Sequence, residues 1–406
     1  MALDKAAASG VLKEFYLPVV REQLVNRNEY LAQIETSSDN INSSGEEVVL
    51  SLHITRNPGI GSRKDLEDLP AAGNQGHTKE RVGVKHHYGQ LQVSGPVIRA
   101  MKPEQGSWLT ALESEQKGVV NDLKRDHERQ LLGTSDGVIA ACDTTTSSTT
   151  IETVATTTQI RQFAIGDVID IGTVASPTGV VQGAVVSAID RVNKTIEIDS
   201  SVSTATTDRI FRSGNGGSGS DQREVTGVQT IVSDTGTLFN VDPTDVPEWA
   251  AQKVDASTSA ISEALIEELI DEIDIHSPVG VQDQIYGFTD HRQARVLGGL
   301  LKQDRRYVST MEFKGGFKGL EVSTASGTVG LSTLRDSPVQ KLYMVNTDHM
   351  VLNQQSDWEF MEEDGNVLSR IVTGNGKDGY GAVLFKYDEQ TTDVRGAHGF
   401  IDDLAA

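Results

Sequence analysis

Several classes of protein are excluded by what this chain has little of. It has one cysteine, Cys142, in 406 residues, so it has no internal disulfide and no zinc site made of several cysteines. Only 5% of its residues are aromatic and only 10 are prolines, which argues against a proline-rich or base-stacking scaffold. No apolar run approaches the roughly 20 residues of a membrane-spanning helix. Residues Met1–Gly10 also lack the apolar core of a signal peptide, so we expect a protein that folds in a reducing cytoplasm and enters no membrane.

Motifs of the common enzyme classes are absent as well. The chain has no GxxxxGK[ST] phosphate loop, no GxGxxG after a strand, no HExxH and no GxSxG. The glycine-rich segment GNGGSGS at 214–220 lacks the lysine and the strand-to-helix setting of a phosphate cradle, and its composition is typical of a flexible linker. We therefore predict no catalytic residue, no cofactor site and no enzymatic activity.

Three features resemble binding or reactive sites when each is taken alone. His86 and His87 are adjacent on a predicted strand, where neighbouring side chains point to opposite faces. One metal ion cannot easily reach both, so we interpret them as surface histidines. The acidic residues between Glu267 and Asp274 fit the solvated face of a helix better than a cation site. Cys142 has no evident histidine partner and is predicted to be a buried, inert thiol. We predict no metal site.

A covalent link between subunits would need a special arrangement around a lysine. Lys64 or Lys79 would have to lose its proton in a dry site beside a buried carboxylate, and then attack an asparagine of a neighbouring copy. The sequence shows no such site. We interpret both lysines as ordinary charged surface residues.

Charge is spread unevenly along the chain. The formal net charge is −22, which argues against tight general binding to nucleic acid, because phosphate neutralisation needs lysine and arginine. Residues 1–135 carry 16 basic and 18 acidic side chains, whereas the remainder carries 20 basic and 40 acidic ones. This pattern suits a subunit with complementary charge at its contacts and repulsion elsewhere, although ordinary acidic solubility explains it as well.

The first hundred residues predict an arm followed by a long hairpin. Apolar residues within 9–35 recur at helical spacing, and the polar segment 36–45 predicts a joint. Residues 46–56 alternate between apolar and polar side chains, as in a half-buried strand, and the return strand is predicted over 78–97. The turn-forming sequence at 57–76 between them is long for a compact domain, unless the loop has a function.

A long amphipathic helix is predicted over Ser107–Leu132. Pro103 and Ser107 suit its start, and Gly133 suits its end. At 1.5 Å per residue it would be a rod roughly 39 Å long. Its apolar stripe consists of Trp108, Leu112, Val119, Leu123 and Leu131. A long hairpin followed by a rod is poor design for a compact enzyme and good design for a subunit that holds its neighbours.

The rest of the chain predicts a β-module and a mixed domain. Residues 143–159 form a threonine- and serine-rich tract, which predicts a linker or an extended edge. Short apolar strands within 160–212, with turns at SPTG and RVNK, predict a small barrel or sandwich with flexible flanks. Residues 221–339 mix strands with two predicted helices, Ser257–Ile275 and Thr289–Tyr307, and further strands close the chain.

Five blocks of the sequence resemble the major capsid proteins of tailed double-stranded DNA bacteriophages, which have the Hong Kong ninety-seven fold. The resemblance is sharpest to the capsid proteins of phages that infect actinobacteria. The blocks are LHITRNPGIGSRKDLEDLPAAGNQ (52–75), YGQLQVSGPVIRAMK (88–102), ESEQKGVVNDLKRDHERQLLGTSDGVIA (113–140), VTGVQTIVSDTGTLFNVDP (225–243) and EFKGGFKGL (312–320). None of them is a catalytic signature, and the specificity lies in their order along most of the chain.

This resemblance implies an α+β fold in six parts. They are an N-terminal arm at 1–45, an extended β-loop at 46–97, a peripheral domain with the spine helix at 98–142, an inserted small all-β domain at 143–220, an axial domain at 221–339, and closing strands of the peripheral domain at 340–406. The scaffolding segment that precedes the arm in part of the family is not seen, so the resemblance implies a separate scaffolding protein or none.

The resemblance also implies a function and its partners. A major capsid protein would assemble with itself into hexamers and pentamers and then into an icosahedral shell, the virion capsid, around double-stranded DNA that it does not bind specifically. Assembly would take place in the host cytoplasm, with a portal protein and cement proteins as further partners. The family's cross-linking residues cannot be assigned to positions of this sequence. The candidate subunit contacts at the loop tip and the spine are Arg56, Arg63, Lys64, Asp65, Glu67, Trp108, Lys124 and Arg125.

Three alternatives stay open at this point. A bacterial encapsulin-like nanocompartment shell shares the fold but encloses an enzyme cargo in place of DNA. A metal-dependent hydrolase built on the acidic residues near Glu267 would need convergent histidines and carboxylates, which the sequence does not reveal. A surface adhesin built from β-modules would need a signal peptide.

Overall fold

A computed structural model describes most of the chain. The described residues are 29–42, 45–94, 107–153, 160–277, 279, 285–303, 310–312, 318–324, 327–362, 367, 369–370 and 378–405. The predicted arm before Glu29 lies outside them, and so do its apolar residues Leu17, Val20 and Leu24. Within the described residues, no helix is both long and apolar enough to cross a membrane.

The described elements comprise twenty strands and five α-helices. The strands are β1 Glu35–Ser37, β2 Glu47–Thr55, β3 Gly76–Gly83, β4 Lys85–Ser94, β5 Val138–Ala141, β6 Thr145–Glu152, β7 Val168–Thr173, β8 Ser176–Asp190, β9 Thr195–Thr204, β10 Arg209–Arg212, β11 Gln252–Asp255, β12 Ile285–Thr289, β13 Thr310–Glu312, β14 Lys318–Thr324, β15 Gly327–Thr333, β16 Leu342–Asn346, β17 Met350–Phe360, β18 Ser369–Arg370, β19 Gly379–Thr392 and β20 Gly399–Asp402. The helices are α1 Glu29–Gln33, α2 Ser107–Leu132, α3 Val228–Ile231, α4 Glu263–His276 and α5 His291–Gln303. Short 3-10 turns cover Gly219–Asp221, Pro247–Trp249, Thr347–His349 and Arg395–Ala397.

The strands form four sheets. A seven-stranded sheet has the order β11-β20-β16-β12-β15-β14-β13, and a five-stranded sheet has the order β1-β17-β19-β18 with β4 also paired to β19. A six-stranded sheet has the order β5-β10-β7-β8-β9-β6, and β2 and β3 form a separate ribbon. Strand β4 follows the ribbon directly in the chain and pairs antiparallel with β19 of the five-stranded sheet. It therefore ties the ribbon to the body of the protein.

The main core joins the ribbon, the end of α2 and the seven-stranded sheet. Tyr30 of α1 packs edge-to-face on Phe288 of β12, which stacks on Tyr343 of β16. The run IYGFT of β12 and the run LYMVN of β16 are buried at every position, as expected for strands covered on both faces. The end of the predicted arm, as far as it is described, therefore packs on this chain's own core.

The six-stranded sheet encloses a second core. Its buried side chains include Ile151, Ile171, Ile196 and Ile210, which come from β6, β7, β9 and β10. Cys142 is buried in the same core, as predicted, and burial raises the pKa of its thiol to about 12. The threonine- and serine-rich tract supplies β6 at the edge of this sheet, so its interpretation as an extended edge holds for 145–152.

Helix boundaries follow local signals. The structure contains the predicted helix Ser107–Leu132 with the expected bounds. Helix α4 begins later than predicted, because the Ser262 hydroxyl accepts a hydrogen bond from the Leu265 backbone N–H and caps the helix there. Helix α5 likewise begins after Asp290, whose carboxylate accepts from the backbone N–H groups of Arg292 and Gln293.

Four further expectations differ from the structure. The predicted return strand 78–97 is interrupted at Val84, where β3 ends and β4 joins another sheet. The turn predicted at SPTG lies two residues earlier, and β8 starts at Ser176. Residues 340–406 were expected to supply closing strands of the peripheral domain alone. They contribute to two sheets, because β16 and β20 pair within the seven-stranded sheet, whereas β17 and β19 pair in the five-stranded sheet.

The fourth expectation concerned the segment GNGGSGS at 214–220, which is not a free linker in the structure. The Gly214 N–H donates to Asp170 Oδ2 over 2.9 Å, and the Gly217 N–H donates to the Asp136 carbonyl over 3.3 Å. Gly216 packs so closely against Phe211 and Pro177 that a Cβ there would come within 3 Å of both. Glycine is used here for close packing and hydrogen bonding as well as for a change of direction.

Candidate assembly surface

The ribbon has a buried base that is fixed to the body of the protein. Val48, Leu50 and Leu52 alternate along β2, and all three are buried in the main core beside Leu131 of α2. The period of two in the sequence therefore decides which face of the ribbon is covered. An ion pair of 3.0 Å between Arg56 Nη2 and Glu248 Oε1 adds a contact at the point where β2 ends.

Beyond this base, the connection from β2 to β3 is a long loop that exposes apolar side chains. Ile60, Leu66 and Leu69 are 83%, 99% and 84% exposed. The loop is organised by short-range hydrogen bonds, such as that from the Lys64 backbone N–H to Glu67 Oε2 over 3.0 Å. A segment that holds its shape by local bonds and leaves its apolar groups in water presents a surface on which another molecule can pack.

The predicted contact residues of the loop lie at different places. Arg56 is held by Glu248 at the end of β2, where the loop begins, although most of its side chain is exposed. Arg63 bonds within the loop, where its Nε donates to the Asp68 carbonyl over 3.0 Å. Lys64, Asp65 and Glu67 are exposed along the loop. The structure thus brings Arg63, Lys64, Asp65 and Glu67 together and places Arg56 apart from them.

The predicted contact residues of the spine are less uniform. Arg125 is exposed, and its Nη2 donates to the Arg161 carbonyl over 3.2 Å, so it bridges α2 to the connection between β6 and β7 of the six-stranded sheet. Lys124 is half-buried. The side chain of Trp108 lies outside what the structure describes. A role of all eight residues in subunit contacts stays a prediction.

A buried polar cluster lies between α2, β4 and β19, and the sequence analysis missed it. Asp388 is fully buried, and its Oδ1 lies 2.9 Å from His87 Nε2 while its Oδ2 lies 3.0 Å from His127 Nε2. Lys386 Nζ also approaches Oδ2, at 2.8 Å. Burial by itself would raise the pKa of Asp388, but Lys386 and the two histidines hold it well below its usual range.

The cluster corrects the interpretation of His86 and His87 as two surface histidines. They do point to opposite faces of β4, but only His86 is exposed, whereas His87 is 7% exposed. Burial lowers the pKa of the His127 imidazole, and Asp388 partly offsets that effect. No local signal predicts this cluster, because His127 and Asp388 are 261 positions apart.

A cavity of about 830 Å³ opens beside the cluster. It is lined by β4, by α2 and by residues 212–224, and it reaches both His87 and His127. Glu224, which lines the cavity, accepts a hydrogen bond at Oε2 from Arg129 Nη1 over 3.0 Å. Burial by itself would lower the pKa of Arg129, but Glu224 and Asp126 have the larger effect and hold the pKa above its usual value. The Arg129–Glu224 pair joins α2 to the segment that leaves the six-stranded unit.

Comparison with known proteins identifies the fold of this chain. No protein-family model matches the chain, and no curated protein matches it. A chain of the cyanophage A-1(L) capsid asymmetric unit matches over 93% of both chains, with 12% identity and a TM-score of 0.57. The chain has the Hong Kong ninety-seven capsid fold. The predicted α+β class and the resemblance to tailed-phage capsid proteins are confirmed at the level of this fold.

Two further structures are similar to a lesser degree. One is the holo-SrpI encapsulin complex of Synechococcus elongatus, with 9% identity, a TM-score of 0.47, and 94% of this chain and 89% of that chain covered. The other is Mycobacterium phage Bobi, with 7% identity, a TM-score of 0.46 and full coverage of both chains. Because both TM-scores are below 0.5, the fold assignment rests on the cyanophage chain.

Proposed function

We propose that this chain is the major capsid protein of a tailed bacteriophage. Its copies assemble, as hexamers and pentamers, into an icosahedral shell that encloses double-stranded DNA. The observation that carries this proposal is the match of the whole fold to a phage capsid chain over 93% of both chains. The exposed apolar loop between β2 and β3 supports it, because Ile60, Leu66 and Leu69 need a partner to leave water.

The parts of the fold take their roles from this function. Residues 1–45 act as the arm, 46–97 as the extended loop, and the unit around 143–220 as an inserted domain. The spine helix lies in a peripheral domain, and the seven-stranded sheet forms most of the axial domain. The charged residues of the loop and the spine contact neighbouring subunits. The protein resides in the virion, after assembly in the host cytoplasm.

Further partners follow from the role of a major capsid protein. A separate scaffolding protein, a portal protein and cement proteins are the expected ones. DNA is enclosed without specific binding, since a subunit with a net charge of −22 has few basic groups to spare for phosphates. A catalytic role is not part of the proposal.

Electron microscopy of the purified full-length chain tests the proposal. We expect closed shells, or capsomers that close into shells when a scaffolding protein is supplied. A protein that stays a monodisperse monomer at high concentration under both conditions would contradict it. The contents of particles purified from their natural source distinguish a phage capsid from an encapsulin-like compartment, because the first contains DNA and the second contains a protein cargo.

A further inference from the structure

Three side chains that are distant in sequence converge at one buried point. They are His87 of β4, His127 of α2 and Asp388 of β19, and their donor atoms all lie within 4.8 Å of one another. Each of the three is more than nine-tenths buried. We propose that this triad binds a divalent transition-metal ion, and that Zn²⁺ is the ion its two imidazoles and one carboxylate suit best.

The placement of the donor atoms supports coordination. Both imidazoles bring Nε2 close to the same carboxylate, at 2.9 Å and 3.0 Å. The His87 Nε2 and Asp388 Oδ1 atoms nevertheless make no hydrogen bond in the described structure. Two buried polar atoms without a hydrogen bond lower the stability of the folded protein, and an ion bound to both would satisfy them.

The spacing of the donors is close to that of a zinc site. Donor atoms at about 2.0–2.2 Å from a tetrahedral Zn²⁺ lie roughly 3.3 Å from one another. The two observed histidine-to-carboxylate distances are 2.9 Å, to Oδ1, and 3.0 Å, to Oδ2, and all the donor atoms lie within 4.8 Å of one another, so small movements of the side chains would place them around one ion. The cavity of about 830 Å³ reaches both imidazoles, and it supplies an entry path and space for a water as the fourth ligand.

Lys386 opposes the ion and sets its affinity. Its Nζ lies 2.8 Å from Asp388 Oδ2, and its side chain is 2% exposed. An ammonium and a divalent ion on one buried carboxylate repel each other, since little water is present to screen them. The site therefore binds zinc more weakly than the same triad without the lysine. Removal of the Lys386 charge should therefore tighten zinc binding, an effect that a purely structural cluster would not show.

The consequence of binding follows from the elements that are joined. Strand β4 follows the ribbon directly, α2 is the longest described helix, and β19 is the central partner of β4 and β17. An ion held by all three would fix β4, the strand that follows the ribbon, to the helix and to β19. The two other histidine–carboxylate pairs with comparable distances, His276–Glu272 and His349–Asp393, each offer two donors only among the described residues, and we assign no ion to them.

Zinc binding by the full-length chain tests the proposal. The protein is stripped with a chelator and dialysed against Zn²⁺, and bound metal is measured by atomic emission. Co²⁺ is used as a spectroscopic probe of the coordination geometry. The variants are His87→Gln, His127→Gln and Lys386→Met, and His86→Gln is the matched control because His86 is exposed on the opposite face of the same strand.

We expect one zinc ion per subunit in the wild type and in His86→Gln. Loss of either triad histidine should weaken binding by on the order of a hundredfold, and Lys386→Met should tighten it by roughly tenfold. If a histidine variant does not fold, as judged by circular dichroism, the affinity of Lys386→Met relative to the wild type decides alone. Equal zinc affinity in the wild type, Lys386→Met and His87→Gln would overturn the proposal, as would no bound zinc in any of them. Either result would show that Asp388 is only a hydrogen-bonded carboxylate.

Discussion

Gly89 of β4 lies directly against Leu123 of α2. A Cβ on Gly89 would overlap Leu123 Cδ1 and would come within 3.0 Å of Val119 Cγ1. Val119 and Leu123 pack on the small core that contains Leu91 and Trp358. The spine helix therefore approaches the five-stranded sheet as closely as it does because this position has no side chain.

Gly89→Ala is expected to lower the free energy of unfolding by about 1–3 kcal/mol, because the added methyl overpacks this contact. Gly118→Ala is the matched control on α2, since nothing lies within 4 Å of a Cβ there. It should raise stability by about 0.5–1 kcal/mol, the difference in helix propensity between glycine and alanine. Denaturant unfolding of both variants measures this. If both variants changed the free energy of unfolding in the same direction, the close packing of α2 against Gly89 would be contradicted.

The case of Gly89 also shows what the sequence does and does not determine. The bounds of α2 could be predicted, because Ser107, Gly133 and the apolar stripe are all local signals. The strands at 342–346 and 381–390 were equally visible, since each contains a short apolar run, LYMV or AVLF, next to polar sequence. The contact between Gly89 and Leu123 could not be predicted, because it depends on which helix packs on which strand.

Non-local pairing explains the other failures. Strands β16 and β20 belong to the sheet that starts at β11, and no periodicity within either strand tells which sheet it joins. His87 and Asp388 likewise meet only because β4 pairs with β19 along its whole length. The register of that pairing brings a histidine, a lysine and a carboxylate together, whereas the sequence shows three unremarkable polar residues.

Arg395 provides a second test of the fold. It is almost fully buried, and its guanidinium donates to the backbone carbonyls of Thr230, Ile231, Thr235 and Gly236. Burial lowers its pKa to about 10, partly offset by nearby aspartates. Replacement by methionine would leave these carbonyls without a donor, so we expect Arg395→Met to cost about 3 kcal/mol or more.

Arg191→Met is the control for Arg395, because Arg191 is exposed in the turn between β8 and β9. Its effect should stay within about 0.5 kcal/mol. Thermal unfolding of both variants in the same assembly state measures the difference. An Arg395→Met variant as stable as Arg191→Met would mean that water replaces the guanidinium at little cost.

His398 predicts a specific dependence of stability on pH. Its Nδ1 accepts a hydrogen bond from the Asn346 N–H over 3.1 Å, and its Nε2 lies 2.9 Å from Thr392 Oγ1. Burial lowers the pKa of this imidazole to about 3. Between about pH 6.5 and pH 3 the unfolded chain therefore binds a proton that the folded chain does not. Its contribution to stability is fully present above pH 6.5 and falls by up to about 1.4 kcal/mol per pH unit below it.

Comparison of the wild type with His398→Gln isolates this contribution. The variant is expected to be less stable at pH 7, but its stability should fall less steeply between pH 6.5 and pH 4.5. Chemical denaturation at several pH values gives the two slopes. Parallel slopes would contradict the prediction, since all other titrating groups are shared by the two proteins.

The exposed loop makes the sharpest prediction about assembly. Leu66 is 99% exposed, so a charge at this position should leave the isolated subunit as stable as before. In a shell, however, the same side chain would have to leave water against a neighbouring subunit, and a buried, unpaired carboxylate is costly there. Leu66→Asp should therefore reduce the fraction of protein in shells, as measured by light scattering and electron microscopy. Val192→Asp is the matched control, because Val192 is 88% exposed on the turn between β8 and β9, which belong to a different sheet from β2 and β3. Shells formed equally well by both variants, with unchanged unfolding midpoints, would show that the loop does not pack on a neighbour.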